Sequence, residues 1–250
     1  MAGHSHWANI AHKKSAIDAK RGKLWSKLAK GIIIAAKAGG GDPNSNLRLR
    51  YAIIDAKAGN MPKDTIDRAI KKGTGELEGV NYEEILYEGY GPGGVAVLCD
   101  ILTDNRNRTA PEVRKIFEMC GGKLGGAGSV AWMFERKGLI AVASNQTDED
   151  ALMELALEAG ADDVESAGEN FEITCSPDVF SNVCDAIEKA GLKAEISEIA
   201  RIAKDTVELD AETGRSVLKL MEMLDDHDDV QKVASNFDIP DEAMAEIEAS

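Results

Sequence analysis

Hydrophobic and polar positions divide the chain into an unpatterned start, a helical stretch, and a longer run in which strands and helices take turns. Residues 1–20 carry no apolar periodicity and read as an arm. From Arg21, the segment GKLWSKLAKGIIIAAKAGGG sets Leu24, Trp25, Leu28, Ile32 and Ala36 one, three and four apart, which predicts an amphipathic helix stopped by glycines. GGGDPNSN is a loop by its turn residues, and NLRLRYAIIDAKAGN reads as a second helix. MPKDTIDRAIKKG follows as a third, with Pro62 near its first turn, Asp64 early, Lys71 and Lys72 late, and Gly73 as the stop.

Beyond GTGELEGVNYEE the pattern changes. GGVAVLCDILT, SVAWMFERKGLIAVAS, NFEITC, KAEISEIARIA, DTVELD and VQKVASNFD predict strands, whereas APEVRKIFEMCGG, DALMELALEAG, PDVFSNVCDAIEKAG and ETGRSVLKLMEMLDDH predict helices. Strand and helix units of this size suit small antiparallel sheets with helices on one face. The expected fold is α+β: an N-terminal three-helix domain followed by two ferredoxin-like (split βαβ) α/β domains, an arrangement that admits exchange of a strand or helix between them. The expected boundaries are an arm at 1–20, a helical bundle at 21–75, one α/β domain from 76–134 plus 205–250, and the other from 135–204.

Composition narrows the class. Of the 250 residues, 44% are hydrophobic and 29% charged, which excludes wholesale disorder. The densest apolar run, Ile32 to Ala36, is too short to cross a bilayer, and no apolar segment with a cleavage site follows Met1, so a cytoplasmic protein is expected. Cys99, Cys120, Cys175 and Cys184 form no CxxC pair and no zinc spacing, so neither a metal nor a cofactor is expected, and the thiols read as reduced.

The net charge of −15 hides an asymmetry. Residues 1–75 hold 15 Lys/Arg against 5 Asp/Glu, a balance of +10, and residues 76–250 hold 14 against 39, a balance of −25. Such blocks suggest a basic module that meets phosphates and an acidic body that repels polyanions elsewhere; the alternative is that the two halves attract one another.

Candidate residues follow from that asymmetry. In the arm, Lys13, Lys14, Lys20 and Arg21 can neutralise phosphates, while Trp7, His6 and His12 offer flat faces to an unstacked base. Trp7 could equally anchor the arm by packing. At 100° per residue, Lys20, Lys23, Lys27, Lys30 and Lys37 fall in one arc largely opposite the apolar stripe, giving the first helix a lysine face suited to phosphates or simply to water. In TDNRNRTAPEVR, Thr109 and Glu112 have capping-box spacing, so a helix is expected just after Arg106 and Arg108, placing two arginines at its positive end as an anion site. Salt bridges to Asp104 and Glu112 are the competing reading.

Other motifs carry less. GPGGVAV and GGKLGGAGSV lack a Walker ending, and the latter precedes a strand, so both read as turns. His4, His6 and His12 lie in the arm and His227 in LDDHDDV, so no Ser/His/Asp set is suggested, and DDHDD reads as a solvated turn. Once Met1 is removed, Ala2-Gly3-His4 could wrap Cu(II) or Ni(II) adventitiously.

The blocks GHSHWANIAHKKSAIDAKRGK, AAKAGGGDP, NMPKDTIDRAIKKGTGELEGVNYEEILYEGYGPGGVAV, LTDNRNRTAPEVR and GSVAWMFERKG together resemble the YebC family, which includes the mitochondrial translational activator of cytochrome c oxidase subunit I. The resemblance is dense over residues 2–140 and loose beyond. It implies a helical bundle followed by two α/β domains, and a nucleic-acid-associated regulator. Bacterial members are described as DNA-binding transcriptional regulators, and other members are linked to ribosomes and translation. The chain opens on the family's first block, so a bacterial-type member without a presequence is expected. The resulting expectation is a non-enzymatic regulator that grips DNA or structured RNA, with the ribosome among its candidate targets. Its acidic α/β domains would meet protein, and no membrane is involved. A ribosome- or RNA-associated translational activator is the alternative, and a small-molecule-binding or catalytic α/β protein the more distant one.

Overall fold

The computed structural model describes residues 21–248. Three helices come first: α1 (Arg21–Gly39), α2 (Leu47–Ala58) and α3 (Lys63–Thr74). Their apolar stripes meet in a core built on Ile32, Leu49 and Ile66, closed by Met61 from the loop between α2 and α3 and filled in by Ala35, Ala36, Ala56 and Ala69. The small residues let the helices close up. A Cβ on Gly73 would lie 2.5 Å from the Ile33 carbonyl oxygen and 2.7 Å from the Ala36 Cβ, so α3 meets α1 at backbone distance. Asn46 holds the loop between α1 and α2. Its Oδ1 accepts the Leu49 N–H at 3.1 Å as N-cap of α2, and its Nδ2 donates to Ala35 O and Gly40 O, each at 2.8 Å. One buried side chain thereby satisfies backbone groups at two helix ends.

The chain continues through β1 (Glu83–Tyr90), β2 (Ala96–Thr103), α4 (Arg106–Met119), β3 (Lys123–Leu124) and β4 (Phe134–Ala143). Next come α5 (Glu149–Glu158), β5 (Asp163–Ala167), β6 (Asn170–Cys175), α6 (Phe180–Lys189) and β7 (Ala194–Ala203). The last elements are β8 (Val207–Glu208), α7 (Ala211–Asp225), β9 (Val230–Ser235), β10 (Phe237–Asp238) and α8 (Asp241–Glu248). Among the described residues these form two compact units, one of residues 21–131 and 211–235, the other of residues 132–210 and 236–248. No helix among the described residues is long and apolar enough to cross a membrane.

The first unit contains the bundle and a four-stranded sheet in the order β3-β1-β2-β9, antiparallel throughout. β2 and β3 flank β1 and are joined by α4, which is a split βαβ crossover. α4 packs close because β1 carries Gly89, where a Cβ would come within 2.6 Å of the Phe117 ring. β9, arriving after α7, completes the sheet against β2, the chain's long apolar run and a central strand buried along nearly its whole length.

The second unit orders its main sheet β5-β6-β4-β7, also antiparallel. With chain order β4-α5-β5-β6-α6-β7, that is the ferredoxin-like arrangement expected for residues 135–204. Gly138 in β4 makes room for α6: a Cβ there would lie 2.4 Å from the Phe180 ring and 2.6 Å from Cys175 Sγ. β8 and β10 pair in parallel as a separate two-stranded ladder.

Several elements differ from expectation. β1 and β5 go unpredicted because each is short of apolar residues at alternate positions; burial along β5 falls only on Val164 and Ala167. α8 is likewise unanticipated. α4 starts at Arg106, earlier than the Thr109 cap requires, because Asn105 is its N-cap and accepts the Arg108 N–H at 3.1 Å. The bundle shares a unit with the first sheet, and of the segment assigned to that sheet only 211–235 returns to it.

Candidate nucleic-acid interface

The lysine face of α1 has partners within its own unit. α7 ends at Asp225, and the segment from Asp225 to Asp229 then runs along α1 before β9 begins. Lys23 Nζ donates to the Asp226 carbonyl at 3.1 Å and sits 3.8 Å and 3.7 Å from the carboxylates of Asp226 and Asp228. Lys27 Nζ donates to the Asp225 carbonyl. Lys30 Nζ donates to the Asp228 carbonyl at 2.9 Å and to Asp229 Oδ1 at 2.7 Å. The spacing of three and four residues that gathers these lysines on one helical face therefore delivers all three to one acidic segment. Burial pushes the Lys27 ammonium below the usual lysine range, against the pull of Asp225, Asp226 and Asp228.

Asp229 is the fixed point of this contact. It is only 2% exposed, yet it is charged and fully engaged. Lys30 holds Oδ1; Arg108 holds Oδ2 at 2.7 Å, and Thr109 Oγ1 donates to the same oxygen at 2.8 Å. Thr103 Oγ1 lies 3.1 Å from Oδ2, and the Asp229 carbonyl accepts the Leu102 N–H at 2.8 Å, tying the segment to β2. Burial alone would raise this carboxyl's pKa, but the hydrogen bonds from Lys30, Arg108 and Thr109 outweigh it and hold the group well below the usual carboxylate range. Lys30 also lies over the Tyr82 ring, 5.6 Å from its centroid.

Beside this contact, a cleft of about 710 Å³ opens between α1 and α4. Its walls carry four cationic side chains and five carboxylates, so its balance is anionic. A phosphate entering it meets repulsion unless a carboxylate moves. His227, on the rim, is committed at both ring nitrogens: Nδ1 accepts the Asp229 N–H at 3.1 Å, and Nε2 meets Glu112 Oε2 at 3.1 Å. That leaves no ring nitrogen free to act as a base.

The glycine-rich turn from Gly125 to Ala131 is also filled from within. The N–H groups of Gly128, Val130 and Ala131 donate to the buried Glu88 carboxylate at 2.6, 2.8 and 2.8 Å. The carboxylate occupies the anion position that a phosphate loop keeps for its ligand.

Of the residues singled out from sequence, Trp7, His12, Lys13, Lys14 and Lys20 lie outside the described residues, as does His6, and Arg21 is described only as the first backbone position of α1. Lys23, Lys27 and Lys30 come together on the acidic segment, while Lys37 turns elsewhere, to Asn81. Arg108 joins the same cluster through Asp229 and also pairs with Asp104 at 3.0 Å. Arg106 is exposed in the first turn of α4, with no ion pair among the described residues. The reading of DDHDD as a solvated turn is corrected: Asp229 is buried at the centre of the cluster. Sequence reasoning passed over Thr103, Tyr82 and Asp229, and also the exposed cations Lys63, Arg68, Lys71 and Lys72 of α3 and Arg114 and Lys115 of α4. None of these six cations has an ion-pair partner among the described residues. The run of four aspartates in LDDHDDV was the available signal for the acidic side.

The fold and this site define an α+β protein whose basic helical bundle is built against an antiparallel sheet and locked to it by a buried carboxylate. The chain belongs to the TACO1/YebC family: residues 5–76 match the TACO1/YebC protein N-terminal domain, and residues 82–237 match the TACO1/YebC second and third domain. It is 58% identical over 246 residues to a probable transcriptional regulatory protein of Desulfatibacillum aliphaticivorans, covering 98% of this chain and 100% of that one. A probable transcriptional regulatory protein of Geobacter sulfurreducens is 58% identical over 247 residues, covering 99% and 100%. Among solved structures, a conserved hypothetical protein from Aquifex aeolicus superposes with a TM-score of 0.84 at 50% identity, covering 95% of this chain and 98% of that one.

Proposed function

We propose that this protein is a nucleic-acid-binding regulator of gene expression that works by gripping the phosphate backbone rather than by catalysis. The observation that carries the reading is the set of exposed cations left over once the acidic segment has taken its share. Lys63, Arg68, Lys71 and Lys72 project from α3, and Arg106, Arg114 and Lys115 from α4, all without carboxylate partners among the described residues. A solvated surface normally intersperses signs, whereas α3 carries these four cations against the two acids Asp64 and Asp67. The relatives' designation as probable transcriptional regulatory proteins agrees with this reading. Binding without catalysis is favoured by His227, whose ring is engaged on both sides, and by Glu88, which fills the glycine-rich turn. The acidic second unit suits contact with protein.

The test is a salt titration of the full chain on duplex DNA and on a structured RNA of equal length. Four phosphate contacts from α3 on duplex DNA would contribute about −3.6 to the log–log slope, and Lys63→Gln, Arg68→Gln, Lys71→Gln and Lys72→Gln together should remove that contribution. A full slope retained by the quadruple variant on both ligands would refute the assignment to α3. The tighter ligand at physiological salt identifies the target class.

A further inference from the structure

The acidic segment offers α1 what a nucleic-acid strand would offer: anionic and carbonyl oxygens repeated along a line. The Asp225 carbonyl meets Lys27, the Asp226 carbonyl meets Lys23, and the Asp228 carbonyl and Asp229 carboxylate meet Lys30, at the negative end of the α7 dipole. The contact is graded along its length. At one end Lys30 and Asp229 are buried, with side-chain exposures of 10% and 3%, and their pair is 2.7 Å long. At the other, the carboxylates of Asp226 and Asp228 are 41% and 68% exposed and stand 3.7–3.8 Å from Lys23, a loose geometry that water and salt readily replace. The cleft between α1 and α4 opens along this contact, lined by Lys23, Asp226 and Asp228 as well as by Lys30 and Asp229, and it gives a displaced Asp226 or Asp228 room to move.

We infer that residues 225–228 are an internal competitor for the lysine face: a polyanion displaces them from Lys23 and Lys27 while the Lys30–Asp229 pair stays closed and keeps the segment in place. The inference rests on the proposed function and adds to it a regulation of the same surface. The lysines of α1 then take part in phosphate binding only after an exchange of anions. Native affinity is therefore lower than the cations would allow, and any partner that draws the acidic segment away raises it.

Neutralising the segment in the full chain tests this. The variant D225N/D226N/D228N is compared with E78Q/E83Q/E118Q, which makes the same change in net charge at exposed carboxylates that contact none of the three lysines. Affinity is measured for a short fluorescent DNA duplex and an RNA hairpin of equal length. The segment variant should bind at least about fivefold more tightly than the control, the lower end of typical coupling between sites. Its salt slope should steepen by roughly two, because Lys23 and Lys27 then keep only the neutral carbonyls of Asp226 and Asp225, which a phosphate displaces more readily than the charged segment. Adding K23Q/K27Q should abolish the excess. The milder D226N/D228N, which alters only exposed carboxylates, should shift affinity in the same direction, so a folding defect in the triple variant would not decide the matter. A gain no larger than the control's, or one that survives K23Q/K27Q, would overturn the inference and leave the proposed function standing. Absence of binding to either ligand by any variant would overturn the proposed function, and the inference with it.

Discussion

Replacing Asp229 with asparagine removes the charge on which two elements converge and leaves the shape nearly unchanged. Lys30, only 8% exposed, would lose its anionic partner and keep two neutral acceptors, the Asp228 carbonyl and the amide oxygen of the new asparagine. Breaking a buried ion pair by removing one partner costs about 3–5 kcal/mol, because the remaining charge is stranded. That is a large share of a typical domain's stability of about 5–15 kcal/mol. At an m value of about 2 kcal/mol per molar, the urea midpoint should fall by roughly 2 M. Lys30→Met should cost less, since Asp229 keeps Arg108 and Thr109, and Arg108→Ala least, since its side chain is 44% exposed. The pH dependence supplies an independent check. The folded Asp229 carboxyl titrates below its unfolded value, so the stability it provides is present above about pH 4 and is lost as the solution is acidified toward the folded pKa. In Asp229→Asn this part of the acid limb should vanish. Urea unfolding at a series of pH values, with hydrogen exchange of α1 and β9 amides to locate the loss, measures both effects. A loss below about 1 kcal/mol with an unchanged acid limb would mean the pair only balances its own desolvation.

Glu88→Ala should cost about 2–4 kcal/mol, since three backbone N–H groups lose a charged acceptor, and the turn at Gly125 to Ala131 should become open to limited proteolysis. Glu88→Gln, which keeps an acceptor oxygen, should lose less in the same melt. Gly138→Ala should destabilise the second unit by about 1–3 kcal/mol through overpacking against Phe180, seen as faster hydrogen exchange in β4 and α6 and not in α1. Gly73→Ala should force α1 and α3 apart at the Ile33 carbonyl, with a similar cost confined to the bundle.

What could be read in the sequence of the fold was what depends on neighbours close in the chain. The three helices of the bundle follow from periods of three and four residues, and β2 announces itself as a continuous apolar run. The expected stop at Gly73 is corrected, because α3 runs through it to Thr74 and Gly75, in the left-handed conformation, is the C-cap, while Gly73 serves the close packing on α1. β1 and β5 escaped because neither alternates: β1 carries Gly89 on the face packed against α4 and the buried Glu88 on the other, and β5 buries only Val164 and Ala167, three residues apart. The start of α4 was misplaced for a local reason. Thr109 has the spacing of a cap, but its hydroxyl serves Asp229, and Asn105 does the capping. The return of α7 and β9 to the first sheet depends on a pairing of β2 with β9 that spans well over a hundred residues, and no local pattern encodes it.

The site divides along the same line. That Lys23, Lys27 and Lys30 share a face is a property of one helix and was legible. What the face meets is set by where β9 docks, and the Lys30–Asp229 bond links residues 199 apart in sequence. A charge run has no period, so LDDHDDV could not announce which aspartate is buried and which are wet. The register decides: Asp229 adjoins β9 and is fixed to Leu102 of β2, so it must turn inward, whereas Asp228, one residue earlier, stays exposed. The opposed charges of the two parts of the sequence therefore serve two ends. Some are used in closing the bundle onto its sheet, and the exposed cations of α3 and α4 without ion-pair partners among the described residues are the ones on which the proposed phosphate grip rests. A count of lysines along α1 overstates its immediate capacity to bind a polyanion. Its capacity depends on whether residues 225–228 can be moved while Asp229 holds.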